Sequence, residues 1–158
     1  QLLIQFFGIH LLRKKYQIIL QCGHKNYNKI SKHLKNNKQF IIQSFFEDMS
    51  YVYNAADIVI ARAGALTISE LSFLGKAMIL IPYKYAADNH QFLNANELVE
   101  KNACILFHQD NLKTGALEKK IDELFGDNNQ IKKLEKNALL YSYPNATKDI
   151  WKEIKNLL

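Results

Sequence analysis

Two hydrophobic periodicities alternate along this chain, and that alternation constrains its fold more than any other feature. Five short runs rich in Ile, Leu and Val, at 17–21, 39–43, 57–61, 77–81 and 103–107, read as strands. Longer stretches with helical spacing follow them at 26–34, 49–55, 66–74, 89–101, 112–125, 129–140 and 146–158, and another opens the chain at 2–14. Strands separated by helices do not close as hairpins; they pair in parallel through crossovers, and the helices cover the sheet. The expected fold is therefore α/β, a parallel sheet with flanking helices. Gly75 stands where a helix C-cap glycine belongs, and Pro144 precedes the last helix. That helix is amphipathic through Ala146, Ile150, Ile154, Leu157 and Leu158, and Trp151 within it is expected to pack. No internal repeat and no linker rich in Pro, Gly or Ser divides the chain, so one domain over residues 1–158 is expected. Doubly wound domains normally open with a strand and a glycine-rich turn. Because this chain opens with a helical pattern instead, the native domain is expected to begin upstream of Gln1, with that strand and loop missing here.

Composition removes several function classes. A hydrophobic fraction of 48% with 23% charged residues suits a globular core and argues against disorder. No apolar run reaches the ~20 residues that span a bilayer. The opening stretch at 2–12 is broken by Gln5, Gly8 and His10, and it lacks the basic flank and cleavage site of a secretory signal. Cys22 and Cys104 are too few for a disulfide framework and are not in metal-ligand spacing, so a reducing, cytoplasmic setting and no bound metal are expected. The net charge of +6 is uneven, since residues 1–46 hold eight Lys or Arg and no Asp or Glu. Yet 19 of the 21 basic residues are Lys, whereas Arg is the better fork for phosphate and base edges. With no aromatic-interleaved basic motif, the basic third reads as solvated helix faces, and no nucleic-acid partner is expected.

The densest chemistry lies between Asp57 and Asn94. The strand at 57–61 ends in Arg62-Ala63-Gly64-Ala65, and a helix follows near Leu66 or Thr67. Ligands of open α/β sheets bind beyond the carboxyl ends of the strands, and a helix start offers N–H groups and a positive dipole to a phosphate. Gly64 permits a tight turn, while Thr67 and Ser69 offer hydroxyls; equally, this is an ordinary βα turn with Thr67 as helix cap. Glu70, within the first turn or so, suits the dipole and has two oxygens that can take both hydroxyls of a ribose. After Ile81-Pro82 comes Asp88-Asn89-His90-Gln91, in which Asp88 or Asn89 can cap the next helix. Gln91 and Asn94 share a helical face, and each amide presents donors and an acceptor to sugar hydroxyls. His90 reads either as an acid–base group or as a surface residue. There is no nucleophile elbow, P-loop, HExxH or complete GxGxxG, and no Asp-x-Asp pair to hold a metal against a diphosphate.

Taken together, the run from Ala61 to Leu71, then Gly75-Lys76-Ala77, Ile81-Pro82 and Ala86-Ala87-Asp88-Asn89-His90-Gln91-x-x-Asn94-Ala95 closely resembles the MurG family. These are the bacterial glycosyltransferases that make lipid II. Leu20-Gln21-Cys22-Gly23 and Phe45-Phe46-Glu47-Asp48-Met49 resemble it too; the similarity is strong from Ile18 to Phe107 and looser beyond. The resemblance implies the C-terminal, donor-binding half of a GT-B enzyme with Rossmann-like domains. The implied reaction is transfer of N-acetylglucosamine from UDP-GlcNAc to the 4-hydroxyl of the muramoyl sugar in lipid I, with inversion and without a metal or other cofactor. It also implies that Ala65, Leu66, Thr67, Ile68, Ser69 and Glu70 embrace the diphosphate and ribose, with Glu70 on the ribose hydroxyls. Gln91 and Asn94 would hold the GlcNAc hydroxyls, the Phe46 backbone would read the uracil edge, and Arg62 would lie near the diphosphate.

Two departures stand out: Ala77 replaces a usual Pro, and Tyr83-Lys84-Tyr85 replaces a more Pro-rich loop. Neither is expected to touch the ligand-binding groups. The acceptor site and general base would belong to an N-terminal domain absent here, so no catalytic residue is assigned and the chain alone is expected to be inactive. The lipid I acceptor and a peripheral position on the cytoplasmic face of the inner membrane are implied for the full-length protein. Rival readings are another GT-B transferase, a sugar-nucleotide epimerase, or a stand-alone UDP-sugar-binding subunit that docks on a separate chain.

Overall fold

The computed structural model describes residues 16–34 and 37–157. The expected helix at 2–14 lies outside them, as does Leu158. All five expected strands form, and all pair in parallel. The chain divides into two compact units, residues 1–57 with 108–127, and residues 58–107 with 128–158.

In the first unit, β1 (Ile18–Gln21) pairs with β2 (Phe40–Gln43) in the register Ile18↔Phe40 to Gln21↔Gln43. The crossover between them is α1 (His24–Leu34), which starts two residues before the expected Asn26. The reason is Gly23, at φ +74°, whose carbonyl accepts from the N–H groups of Asn26 and Tyr27 and so begins the helix. Cys22, Ile30 and Leu34 form a small core under Leu20, Tyr27, Phe40 and Ile42. The helix α2 (Met49–Ala55) is capped by the Asp48 carboxylate, which accepts from the Ser50 N–H. The unit closes with a 3-10 turn at Gln109–Thr114 and α5 (Ala116–Gly126). A single helix over 112–125 is thus corrected to two pieces, because Gly115 at φ +74° breaks the path. Tyr16 anchors the start of β1 to α5: its hydroxyl donates to Asp122 at 3.0 Å and its ring stacks on Phe125 at 4.4 Å.

The second unit holds a three-stranded sheet in the order β3 (Ile58–Ala61), β4 (Ala77–Leu80), β5 (Ile105–Leu106). Every residue of β4 is buried, which is why it reads as an unbroken apolar run rather than an alternating one. Between β3 and β4 runs α3 (Ala65–Phe73), and between β4 and β5 a 3-10 turn (Ala87–Asn89) leads into α4 (His90–Glu100). Strand β5 is shorter than expected because Ala103 and Cys104 belong to the turn that ends α4: the Ala103 N–H donates to the Leu98 carbonyl at 2.8 Å. Asn102, at φ +53°, turns that corner.

Gly75 ends α3 as expected. At φ +60° it completes a Schellman turn, with the Lys76 N–H on the Leu71 carbonyl and the Gly75 N–H on that of Ser72. A Cβ there would also lie 2.6 Å from Leu139 Cγ of α6 (Asn128–Tyr141), so the glycine lets α6 approach. The last helix, α7 (Ala146–Leu157), buries none of its residues. Packing of Trp151 is therefore corrected: it is 56% exposed, with the Lys155 ammonium 5.4 Å from its ring centroid. Both thiols are buried, Cys22 donating to the Gln43 carbonyl and Cys104 to that of Ala95.

Candidate functional site

The second unit brings Arg62, residues 65–70, Gln91 and Asn94 to the carboxyl-end loops of β3 and β4 and to the helices that follow them. Phe46 belongs to the first unit. Its N–H is already engaged, donating to Gln21 Oε1 at 2.9 Å, so the group it retains for a base edge is its carbonyl.

The first turn of α3 starts one residue earlier than expected. Gly64, in extended conformation, holds the cap position without a side-chain bond, and its carbonyl accepts from the Ile68 N–H at 3.0 Å. Thr67 is therefore the third helical residue and not the cap. Helical geometry leaves the opening N–H groups without intrahelical acceptors, and no side chain of Gly64 competes for them. Leu66 is 74% exposed, whereas Ile68 is buried in the core. Glu70, expected within the first turn or so, is the sixth residue of the helix and is partly buried.

Arg62, expected near the diphosphate, also acts as a clamp between strand ends. Its Nη1 donates to the Ile81 and Pro82 carbonyls, each at 3.1 Å, and its guanidinium lies 5.4 Å from the centroid of the Tyr83 ring. Burial lowers its pKa from the ordinary arginine value, opposed by Tyr83. The guanidinium thus ties the end of β3 to the end of β4.

Gln91 and Asn94 are each fixed at one end. Gln91 Oε1 accepts from the Tyr83 N–H at 2.9 Å, which leaves the two Nε2 hydrogens as donors. Asn94 Nδ2 donates to the Ala63 carbonyl at 3.2 Å, which leaves Oδ1 as an acceptor. One amide is thus oriented to give hydrogen bonds and the other to receive them. Neither Asp88 nor Asn89 caps as expected: Asn89 holds the cap position of α4 at φ +54° with no side-chain cap bond, and Asp88 beside it sits at φ +46° within the 3-10 turn. Two successive non-glycine residues in the left-handed region mark stored backbone strain, a device concentrated at ligand-binding turns. Exposed His90 donates from Nδ1 to the Ala87 carbonyl at 2.6 Å. A cavity of about 150 Å³ lies along α3, lined by Ala65, Ile68, Ser69, Ser72, Asn94 and residues 141–143.

The loop of Tyr83, Lys84 and Tyr85 was expected to leave the ligand-binding groups alone. In fact its Tyr83 is the partner of both Gln91 and Arg62. The available signal was two aromatics directly after the carboxyl end of a buried strand.

Parallel strands flanked by helices, with polar groups gathered where strands give way to helices, define a Rossmann-like α/β domain of the kind that forms the C-terminal half of GT-B glycosyltransferases. The family model for the glycosyltransferase family 28 C-terminal domain matches residues 7–154, and the chain belongs to that family. A transferase of Flavobacterium psychrophilum is 40% identical over 148 residues, covering 94% of this chain and 40% of its own. Another, from Thermodesulfovibrio yellowstonii, is 38% identical over 148 residues, covering 93% and 40%. Both are named UDP-N-acetylglucosamine–N-acetylmuramyl-(pentapeptide) pyrophosphoryl-undecaprenol N-acetylglucosamine transferase. The crystal structure of Acinetobacter baumannii MurG superposes with a TM-score of 0.76 at 26% identity, covering 96% of this chain and 48% of that one. The chain spans about 40% of the length of these curated relatives. Among the described residues no helix is long and apolar enough to cross a membrane, and no three His, Cys, Asp or Glu side chains gather as a metal site.

Proposed function

We propose that this chain is the donor-binding part of an inverting, metal-independent N-acetylglucosaminyltransferase that takes UDP-GlcNAc as donor and lipid I as acceptor, giving lipid II. The observation that carries this reading is the pair of half-anchored amides, Gln91 presenting donors and Asn94 an acceptor, one helical turn apart beside the uncapped start of α3. Sugar hydroxyls both give and take hydrogen bonds, so a donor–acceptor pair fixed in place suits a hexose rim. The opening N–H groups of α3 suit the diphosphate, whose charge builds as UDP leaves. Glu70, in the second turn of α3, takes the ribose hydroxyls.

In the displacement, the acceptor hydroxyl attacks the anomeric carbon while UDP departs from the opposite face, and the base that removes its proton comes from outside this chain. Residues 1–158 alone therefore turn over no substrate. The full-length enzyme works at the cytoplasmic face of the membrane, where its lipid-linked acceptor lies.

Calorimetric titration of the full-length product of the reading frame with UDP-GlcNAc, using UDP-glucose as control, tests the assignment. Selective UDP-GlcNAc binding is expected. Gln91→Ala should weaken it by about tenfold and Glu70→Ala by more, at the scale of lost polar contacts of ~1.5–3 kcal/mol. A folded protein that binds neither nucleotide sugar would refute it.

A further inference from the structure

We propose that Tyr85 is a stacking surface for the pyranose ring of the transferred sugar, held in orientation by Tyr83 and Arg62. The inference rests on the donor reading above and adds to it the residue that recognises the face of the sugar rather than its rim.

Tyr83 and Tyr85 are 44% and 73% exposed, directly after buried Pro82. Single exposed aromatics are ordinary, but Tyr83 is held in place and the ring of Tyr85 rests on it. The Tyr83 N–H is held by Gln91 Oε1, and its carbonyl accepts from the Ala86 N–H at 3.1 Å. Its ring is engaged by the Arg62 guanidinium, which is itself held by the Ile81 and Pro82 carbonyls. Tyr85 meets Tyr83 edge to face, with centroids 5.7 Å apart and planes at 72°, and so has an open ring face. A ring ordered this way loses little freedom when a ligand arrives, which is what makes an exposed aromatic an effective anchor.

The ligand class follows from the connection to Gln91. The amide that orients Tyr83 is the one assigned to sugar hydroxyls, and Tyr85 rests on the Tyr83 ring, so the platform and the hydrogen-bonding groups are parts of one connected assembly. A gluco-configured pyranose carries its hydroxyls equatorially around the rim and presents C–H bonds on its two faces. Amides suit the rim, and an aromatic ring suits the face.

The test uses the full-length protein with Tyr85→Ala and Tyr85→Phe, titrated with UDP-GlcNAc and with UDP. Tyr85→Ala is expected to weaken UDP-GlcNAc about tenfold while leaving UDP within about twofold, and Tyr85→Phe is expected to match the wild type. In proton NMR, the ring C–H signals of bound GlcNAc should shift upfield in wild type and Tyr85→Phe but not in Tyr85→Ala. Unchanged UDP-GlcNAc affinity in Tyr85→Ala, or equal weakening of UDP and UDP-GlcNAc, overturns the stacking role while the donor reading stands. A folded wild type that binds neither UDP-GlcNAc nor UDP overturns both.

Discussion

Gly75 carries two constraints on one residue. Its φ of +60° disfavours any side chain, and the position of a Cβ lies 2.6 Å from Leu139 Cγ. The Gly75→Ala variant should lose roughly 2 kcal/mol, part from the left-handed backbone and part from overpacking. Adding Leu139→Ala separates the two: denaturant unfolding of the double variant should recover the steric part and leave the backbone part, a non-additivity the double-mutant cycle reads directly. Full additivity would mean that Leu139 swings away from the new methyl at no cost. Gly75 was legible as a cap in the sequence because helix ends follow local chemistry. Its second role was not, because Leu139 is a distant residue that only the tertiary packing brings close. Arg62 shows the same split: its place at a strand end was readable, but its carbonyl partners lie 19 and 20 residues away and no local pattern announces them.

The same local-versus-distant boundary governs the elements. The strands were legible because β4 is apolar throughout and its neighbours carry β-branched runs. Errors came where a single left-handed residue redirected the chain, as at Gly115 and Asn102. Amphipathicity misled in α7, since a periodic apolar face tells which side would be covered and not what covers it. The segment leading into α7 holds its own contact: Tyr141, at the end of α6, has its pKa pushed up to about 12, by desolvation first and then by its hydrogen bond to Glu97 of α4. The folded form thus keeps the phenol protonated above its ordinary 10.0. Between these values the unfolded chain releases a proton that the native protein retains, so stability falls as pH rises through this window and is fully present below it. Urea unfolding from pH 9 to 12 should show a steeper alkaline loss in the wild type than in Tyr141→Phe; parallel curves would count against the coupling.

At the scale of the whole molecule, the two amides of the candidate site were legible in type and spacing, yet their orientation was not. Gln91 and Asn94 acquire direction only from Tyr83 and Ala63, backbone partners that no periodicity announces. The two compact units also have separate interiors, and each contains one cysteine: Cys22 in the first and Cys104 in the second. Burial raises both thiol pKa values, that of Cys104 to about 12, so neither reacts appreciably while its unit is closed. Each thiol therefore reports on the opening of the core that encloses it. With a thiol reagent in excess, Cys104 should be modified more slowly than Cys22, because its surroundings include the fully buried Ala95 and Ala103 and the wholly buried strand β4, whereas Cys22 sits in a small core. Mass spectrometry of timed samples would resolve the two rates. A single shared rate would show that the chain comes apart in one step, and two would order its opening without any label being introduced.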